Sequence, residues 1–358
     1  MSKVSNKLPK ENYIGCLVGG AIGDALGAPV EFISFQEIKE RYGENGITDY
    51  VEFKDGHGEI TDDTQMTLFT AEAVLRSICR AQTRGIWGAI STIAYGAYKR
   101  WLITQNEIPI IGKTDSWLMD IPELYKRRAP GMTCLSALQE NDSSLDTEAA
   151  NISKGCGGVM RVAPAGLVFH DMKFAFENGC ILAKITHGHP SGYLAAGFFA
   201  AVISGINSGL CLKESVEKSL ELLKKEKDSE ESVHFIKRAV LLSMMNKPSA
   251  RTIATLGSGW VAEEAIAIAI YCSLYYENDF EAGVLAAVNH DGDSDSTGSI
   301  TGNILGLING IDSIPKEWVN NLHLCDIITK MAIDLHTEYV YDGITKTTDE
   351  WSDRYPPS

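Results

Sequence analysis

Residues 289–310, NHDGDSDSTGSITGNILGLING, carry three aspartates at every second position and then four glycines at every fourth. Gly298, Gly302, Gly306 and Gly310 fall along one i, i+4 row of a helix. An interior glycine costs up to about 1 kcal/mol against alanine, so a row of four needs a packing reason, and close approach of a second helix supplies one. The same row recurs near the start of the chain, in ENYIGCLVGGAIGDALGAPVEF (11–32), as Gly15, Gly19, Gly23 and Gly27. No strand pattern precedes it and G-x-G-x-x-G is absent, which argues against a dinucleotide fingerprint. Both glycine-faced helices are expected to lie buried in the middle of the protein, in contact with the acidic stretch.

Asp291, Asp293 and Asp295 cannot all converge on a continuing helix, where i and i+2 point to nearly opposite sides, but they can in an extended turn. So much negative charge in one place is costly unless a cation or a donor array neutralises it, and an all-oxygen set suits a hard cation. An EF-hand is excluded, because its sixth position would be Ser296 rather than glycine and its twelfth Gly302 rather than a bidentate glutamate. A second acidic knot, Gly58–Thr64 (GEITDDT), opens the apolar helical run Met66, Leu68, Phe69, Ala73, Val74, Leu75 and Ile78. For either knot alone, the plain alternative is an N-cap with acids in the first turn. Two in one chain favour a shared site. Asp62 and Asp63 project about 100° apart at a helix start and could each face a different ion, giving a two-cation cage with Asp293 and Asp295. Asp24, inside the first glycine row, and Glu31, beyond Pro29, bring two further acids to the same neighbourhood. Asp24 is also readable as a hydrogen-bond partner of a neighbouring turn, and Glu31 as exposed beyond the helix end.

The 358 residues are 44% hydrophobic and 22% charged, an ordinary globular composition with ample material for a core. No run of about 18 apolar residues occurs and the first residues lack a signal-peptide core, so a cytoplasmic protein is expected, with no membrane partner. The eight cysteines are spread without a C-x-x-C and read as reduced core residues. A formal charge of −15 disfavours nucleic acid as a partner. An anionic ligand would therefore need helix N-termini, metals or a few placed cations.

Helical periodicity covers nearly every long segment, including 85–104; only 47–53 alternates in a strand-like way. The fold class expected is all-α, a compact orthogonal multi-helix bundle with a central dinuclear metal site. We read it as one domain over 1–358, with a polar arm at 1–10 and a surface tail at 341–358. Between the two acidic knots, SKGCGGVMRVAPAG (153–166) offers backbone N–H groups that could cradle phosphate, helped by Lys154 or Arg161. The alternative is a plain glycine-rich turn with Arg161 paired to a core acid. THGHP (186–190) ends one helix and opens the next; its His187 and His189 could bind zinc, although no thiolate or further histidine is near in sequence. LGSGWVAEEAIAIAIYC (256–272) places Trp260 before an almost wholly apolar helix.

GCLVGGAIGDALGAPVEF, ITDDTQMTLFTAEAVL, GCGGVMRVAPAG, THGHPSGYLAA, LGSGWVAEEAIAIAIYC and HDGDSDSTGSITGNILG, in that order, resemble the motifs of the ADP-ribosylglycohydrolase family from about Tyr13 to Gly310. The resemblance implies an all-α fold around two Mg²⁺ (or Mn²⁺) ions. By motif position Thr61, Asp62 and Asp63 would hold metal from the first knot, and Asp293, Asp295 and Ser296 from the second. Glu31 matches a glutamate that in relatives approaches the metal or the scissile ribose, and Glu31, Asp62 and Asp63 are the candidate catalytic bases. Ser153, Lys154 and Gly155 fall on a diphosphate-contacting loop, His187 on a phosphate or ribose contact, and Trp260 near the adenosine side. Asp291 replaces a glycine usual in the family, which leaves its role open. The Asp293-Ser294-Asp295-Ser296 run is similar to that of arginine-directed members, so the implied activity is removal of ADP-ribose from an ADP-ribosylated protein arginine. The alternatives are hydrolysis of O-linked ADP-ribose on serine or a metabolite, an immunity protein that binds and neutralises a cognate ADP-ribosyltransferase, and a zinc hydrolase using His187 and His290.

Overall fold

The computed structural model describes residues 7–51, 57–106, 114–140, 147–337 and 349–357. It is all-α; the β-type pairings among the described residues are the isolated bridges of Gly58 with Leu322 and Gly155 with Val261. The described part of the strand-like segment 47–53 forms no strand, and its remainder lies outside the described residues.

At the centre the first glycine row lies on the helix Lys10–Gly27, and Gly298, Gly302 and Gly306 of the second lie on the helix Ser294–Asn309, with Gly310 beyond its end as the cap at φ 74°. The two run antiparallel and touch through their backbones. A Cβ added at Gly15, Gly19 or Gly23 would fall 2.3, 2.6 and 2.0 Å from the carbonyl oxygens of Gly306, Gly302 and Gly298. The reciprocal additions collide in the same way, so here the glycines are a steric requirement. Two asparagines bond across the seam: Asn303 Nδ2 donates to the Cys16 carbonyl and Asn12 Nδ2 to the Leu307 carbonyl, each at 2.8 Å. Both helices are buried along nearly their whole length, as expected. Gly27, at the C-terminal end of the first, packs on Ser294 and Asp295 at the start of the second.

Around this pair the helices Asp62–Arg84, Pro190–Asn207 and Ala262–Tyr275 are buried on several faces and bring their apolar side chains into one core with Tyr13, Trp101, Phe198 and Tyr271. The helical pattern over 85–104 divides differently from expectation. Gly85, left-handed at φ 66°, ends the Asp62–Arg84 helix, and the next helix starts only at Ile90. Of the tail expected on the surface, 341–348 lie outside the described residues. Asp349–Arg354 is helical, with Trp351 and Tyr355 buried and the Tyr355 hydroxyl donating to Asp334 Oδ2 at 2.6 Å.

Candidate metal and substrate site

Two helix N-termini meet beside the end of the first glycine helix. Thr61 caps Asp62–Arg84, its Oγ1 accepting from Asp63 N at 3.3 Å. Asp293 caps Ser294–Asn309, its Oδ1 accepting from Ser296 N at 3.3 Å. The plain capping reading therefore holds for both knots, and it is also what builds the site. Caps and first-turn acids gather where the helix dipoles favour negative charge. Thr61 Oγ1 bridges the two ends by donating to Asp295 Oδ2 at 3.4 Å. Asp24 accepts from the backbone N–H groups of Thr61 and Thr64 at 3.0 and 3.1 Å and from the Thr64 hydroxyl at 2.5 Å, so it is a neighbouring helix's cap.

Glu31, Asp62, Asp63, Asp293, Asp295 and Ser296 line one cavity of about 200 Å³. Glu31, Asp293 and Asp295 each bring a carboxylate oxygen within 4.8 Å of the other two. The expectation that Glu31 is exposed fails: the turn after Pro29 folds it back over the acids, and it is 7% exposed. Asp291 does not join them. Its Oδ1 accepts from Phe35 N at 2.8 Å, and it lines a separate, larger cavity of about 650 Å³. The helix begins at Ser294, so Asp293 and Asp295 converge while Asp291 is left before the turn.

No Lys or Arg among the described residues lines the acid cavity. Burial, with the Asp295 charge next in importance, pushes Glu31 up to about 10 and Asp24 up to about 7, and raises Asp62 and Asp63 well above the usual carboxylate range. Burial also raises Asp293 and Asp295. Carboxylates packed this way hold either protons or a cation. Asp62 Oδ2 accepts from Gly131 N at 3.2 Å, but Asp63 Oδ1 is buried with no hydrogen-bond partner among the described residues. An orphaned anionic oxygen within an oxygen-rich donor set fits a hard divalent cation.

Gly155, His187 and Trp260 line the same cavity. The glycine-rich loop is pinned on both sides, with Cys156 N donating to the Trp260 carbonyl at 3.2 Å and His189 N to the Ser153 carbonyl at 3.2 Å. Ser153 and Lys154 are not among the lining residues: Ser153 Oγ lies 3.1 Å from Thr133 Oγ1, and the Lys154 ammonium is held by Glu231 and Glu263. Arg161 serves neither expected role. It is fully buried, stacks on the Tyr98 ring at 4.3 Å, and donates to the Leu182 carbonyl and to Thr186 Oγ1. His187 is buried, and burial and Arg161 lower its pKa to about 3, so it is neutral. His189 is the N-cap of Pro190–Asn207. His290 bonds Thr297 Oγ1 at 2.9 Å and the Asp291 carbonyl at 3.1 Å, so the structure does not bring His187 and His290 together as zinc ligands.

Several lining residues escaped the sequence reading. Cys156 Sγ sits 2.6 Å from Asp293 Oδ2, Cys134 lies beside Arg161, and Met132 comes from a short helix, Met132–Glu140. For Cys156 a signal existed, its place inside the glycine-rich loop. Phe32, beside Glu31, is 70% exposed and stacks on the half-exposed Trp260 with ring centroids 5.6 Å apart at the cavity mouth.

Comparison with known proteins bears on this geometry. The family model for ADP-ribosylglycohydrolase matches residues 5–343. The ADP-ribosyl-[dinitrogen reductase] glycohydrolase of Rhodospirillum rubrum is 25% identical over 319 residues, 88% of this chain and 91% of that protein. The ADP-ribosylarginine hydrolase Tri1 of Pseudomonas putida (strain GB-1) is 24% identical over 328 residues, 90% of this chain and 76% of that protein. A solved structure titled ADP-ribosylglycohydrolase-related protein complex superposes with a TM-score of 0.63 at 23% identity, covering 92% of this chain and 99% of that one. At that identity it is the fold that is shared.

Proposed function

The chain belongs to the ADP-ribosylglycohydrolase family, and from that premise we propose that it is a metal-dependent hydrolase that removes ADP-ribose from ADP-ribosylated protein arginine. The observation that carries this reading is the meeting of two acidic helix N-termini and Glu31 around a cavity with no cationic side chain among its described lining residues. Thr61, Asp62, Asp63, Asp293, Asp295 and Ser296 would hold two Mg²⁺ (or Mn²⁺) ions. Bound there, the cations supply Lewis acidity at the ribose hydroxyls. The acids and the Gly155 loop line the same cavity, so the ribose would sit against the acids with the diphosphate and adenosine directed along the Gly155 loop towards Trp260. The bond that breaks joins ribose C1″ to the guanidine nitrogen, through an oxocarbenium-like state that neighbouring carboxylates stabilise. Water adds at C1″ and its proton passes to a carboxylate, while the guanidinium departs with the C1″–N bonding pair as neutral guanidine and then takes that proton up. We assign the base role to Glu31, whose carboxylate faces the cavity within 4.8 Å of those of Asp293 and Asp295, with Asp62 and Asp63 as the alternatives.

Release of ADP-ribose from arginine-ADP-ribosylated protein, measured with and without Mg²⁺, tests the proposal. Asp62→Ala, Asp295→Ala and wild type in EDTA are each expected to lose at least about a hundredfold in rate. Continued turnover in those samples would overturn it. A matched serine-linked substrate, hydrolysed in preference to the arginine-linked one, would move the activity to O-linked ADP-ribose. Stable binding of a transferase by metal-ligand variants would favour the immunity role.

A further inference from the structure

The wall of the cavity away from the acids has no Lys or Arg among its described lining residues to meet an anionic ligand, so neutral donors carry that task. His187 belongs to this wall. A Cβ added at Gly155 or Gly157 would lie 3.3 and 3.6 Å from its Nε2, which places that ring edge against the glycine loop. Nε2 has no hydrogen-bond partner among the described residues, whereas Nδ1 lies 2.8 Å from Thr186 Oγ1. Which edge donates is decided one step further back.

Arg161 Nη2 donates to the same Thr186 Oγ1 at 2.7 Å. A guanidinium has no acceptor, so Thr186 must accept there, and its single hydroxyl proton is left for one other neighbour. The choices are His187 Nδ1 at 2.8 Å, the Ala183 carbonyl at 3.4 Å, and the Cys134 thiol, a poor acceptor. Were Nδ1–H to donate instead, the hydroxyl oxygen would face two N–H donors, one of them cationic, and its own proton would be left the 3.4 Å carbonyl; with Nδ1 accepting, that proton takes the 2.8 Å contact. An Nδ1 that accepts leaves the ring proton on Nε2.

We propose that Arg161, acting through Thr186, holds His187 as its Nε2–H tautomer, so that the ring donates a hydrogen bond to an acceptor oxygen of the ADP-ribosyl group at the Gly155–Gly157 wall. The nature of the ligand rests on the function proposed above; the tautomer does not. Arg161 and Thr186 are then positioning residues, which accounts for a fully buried guanidinium whose hydrogen bonds go to a carbonyl, a hydroxyl and sulfur atoms rather than to a carboxylate. A fixed donor also discriminates, because a ligand group that can only donate finds no acceptor on this ring edge.

Long-range ¹H–¹⁵N correlation spectra of the full chain labelled at histidine nitrogen, with His187 assigned by its loss in His187→Gln, read the tautomer directly. Wild type is expected to show the proton on Nε2 and a bare Nδ1. Thr186→Val, which removes the hydroxyl, should shift the ring towards Nδ1–H and raise KM about tenfold with a smaller change in kcat, as for loss of one hydrogen bond. Thr186→Ser should restore both. A wild-type proton on Nδ1, or a Thr186→Val ring still protonated on Nε2, overturns the proposal whatever the substrate proves to be. If Thr186→Val does not fold, the wild-type spectrum alone decides. An Nε2–H signature in a protein that releases no ADP-ribose would sink the activity reading and leave the tautomer standing.

Discussion

Asp24 lies among the acids without lining their cavity, because its oxygens are taken by the N-terminus of the Asp62–Arg84 helix. Replacing it with alanine would leave the N–H groups of Thr61 and Thr64 and the Thr64 hydroxyl buried without an acceptor, a penalty of about 1–3 kcal/mol per group. Loss of a like charge next to Asp295 offsets part of that. Asp24→Ala is therefore expected to lower unfolding free energy by about 2 kcal/mol in urea melts, and Asp24→Asn by less, since the amide keeps one acceptor oxygen. At this scale the sequence was only partly legible. Alternating acids, hydroxyls at helix starts and the glutamate after Pro29 mark the site because charge density needs a counter-charge wherever the chain goes. What stayed hidden depends on long-range geometry: Asp291 turns away to Phe35, Glu31 folds inward, Lys154 is held by Glu231 and Glu263, and Arg161 sits buried on Tyr98.

Among the elements, the glycine rows were the most readable feature, since four costly residues at a fixed helical spacing demand a partner as closely packed. Alanine at Gly302 would place Cβ 2.0 Å from the Gly19 carbonyl oxygen, with only backbone to give way. Gly302→Ala is expected to cost at least about 1–3 kcal/mol, the range of overpacked cores, and to impair activity by moving the start of Ser294–Asn309, with Asp295, away from the end of Lys10–Gly27 and the Glu31 that follows it. Gly96, inside the helix Ile90–Thr104, is the control: its Cβ would meet only Arg100 Nη1 at 3.8 Å. Gly96→Ala should stabilise by up to about 1 kcal/mol through helix propensity. Chemical denaturation of the two variants separates glycine kept for contact from glycine merely tolerated. The misread boundary at 85–89 has a local cause, for Gly85 and Gly88 both take positive φ and no apolar period marks where a helix resumes.

For the whole molecule, the buried acids set a pH dependence whose sign depends on metal. Asp24, at about 7 when folded, keeps a proton that the unfolded chain releases near 4, and Asp62, Asp63, Asp293 and Asp295 are shifted the same way. Without metal the folded state binds the extra protons, so this contribution falls as pH rises from about 4 towards 7. His187 works oppositely: neutral when folded down to about 3, it favours folding more as pH rises through that value towards 6.5, and His290 is shifted in the same direction. The histidine contribution is common to samples with and without metal, so it cancels in their difference. The gain in Tm on adding Mg²⁺ should therefore be larger at about pH 7.5 than at about pH 5.5, where protons compete for the same oxygens. Equal gains at both values would mean that these acids are not the ligands.

The seam between the two glycine helices repeats every four residues, and a ladder with equal rungs does not by itself say which rung meets which. Sliding one helix by a single repeat, about 6 Å, would mate glycine with glycine again. Asn303 sits in the notch at Gly20, where a Cβ would fall 2.0 Å from its Nδ2, and one repeat either way the chain has Cys16 or Asp24 instead, so this asparagine acts as an index mark. Closeness is thus written in glycine and alignment in asparagine, and a slip of one rung would carry Asp295 out of reach of Thr61 while leaving the helices as snugly paired as before.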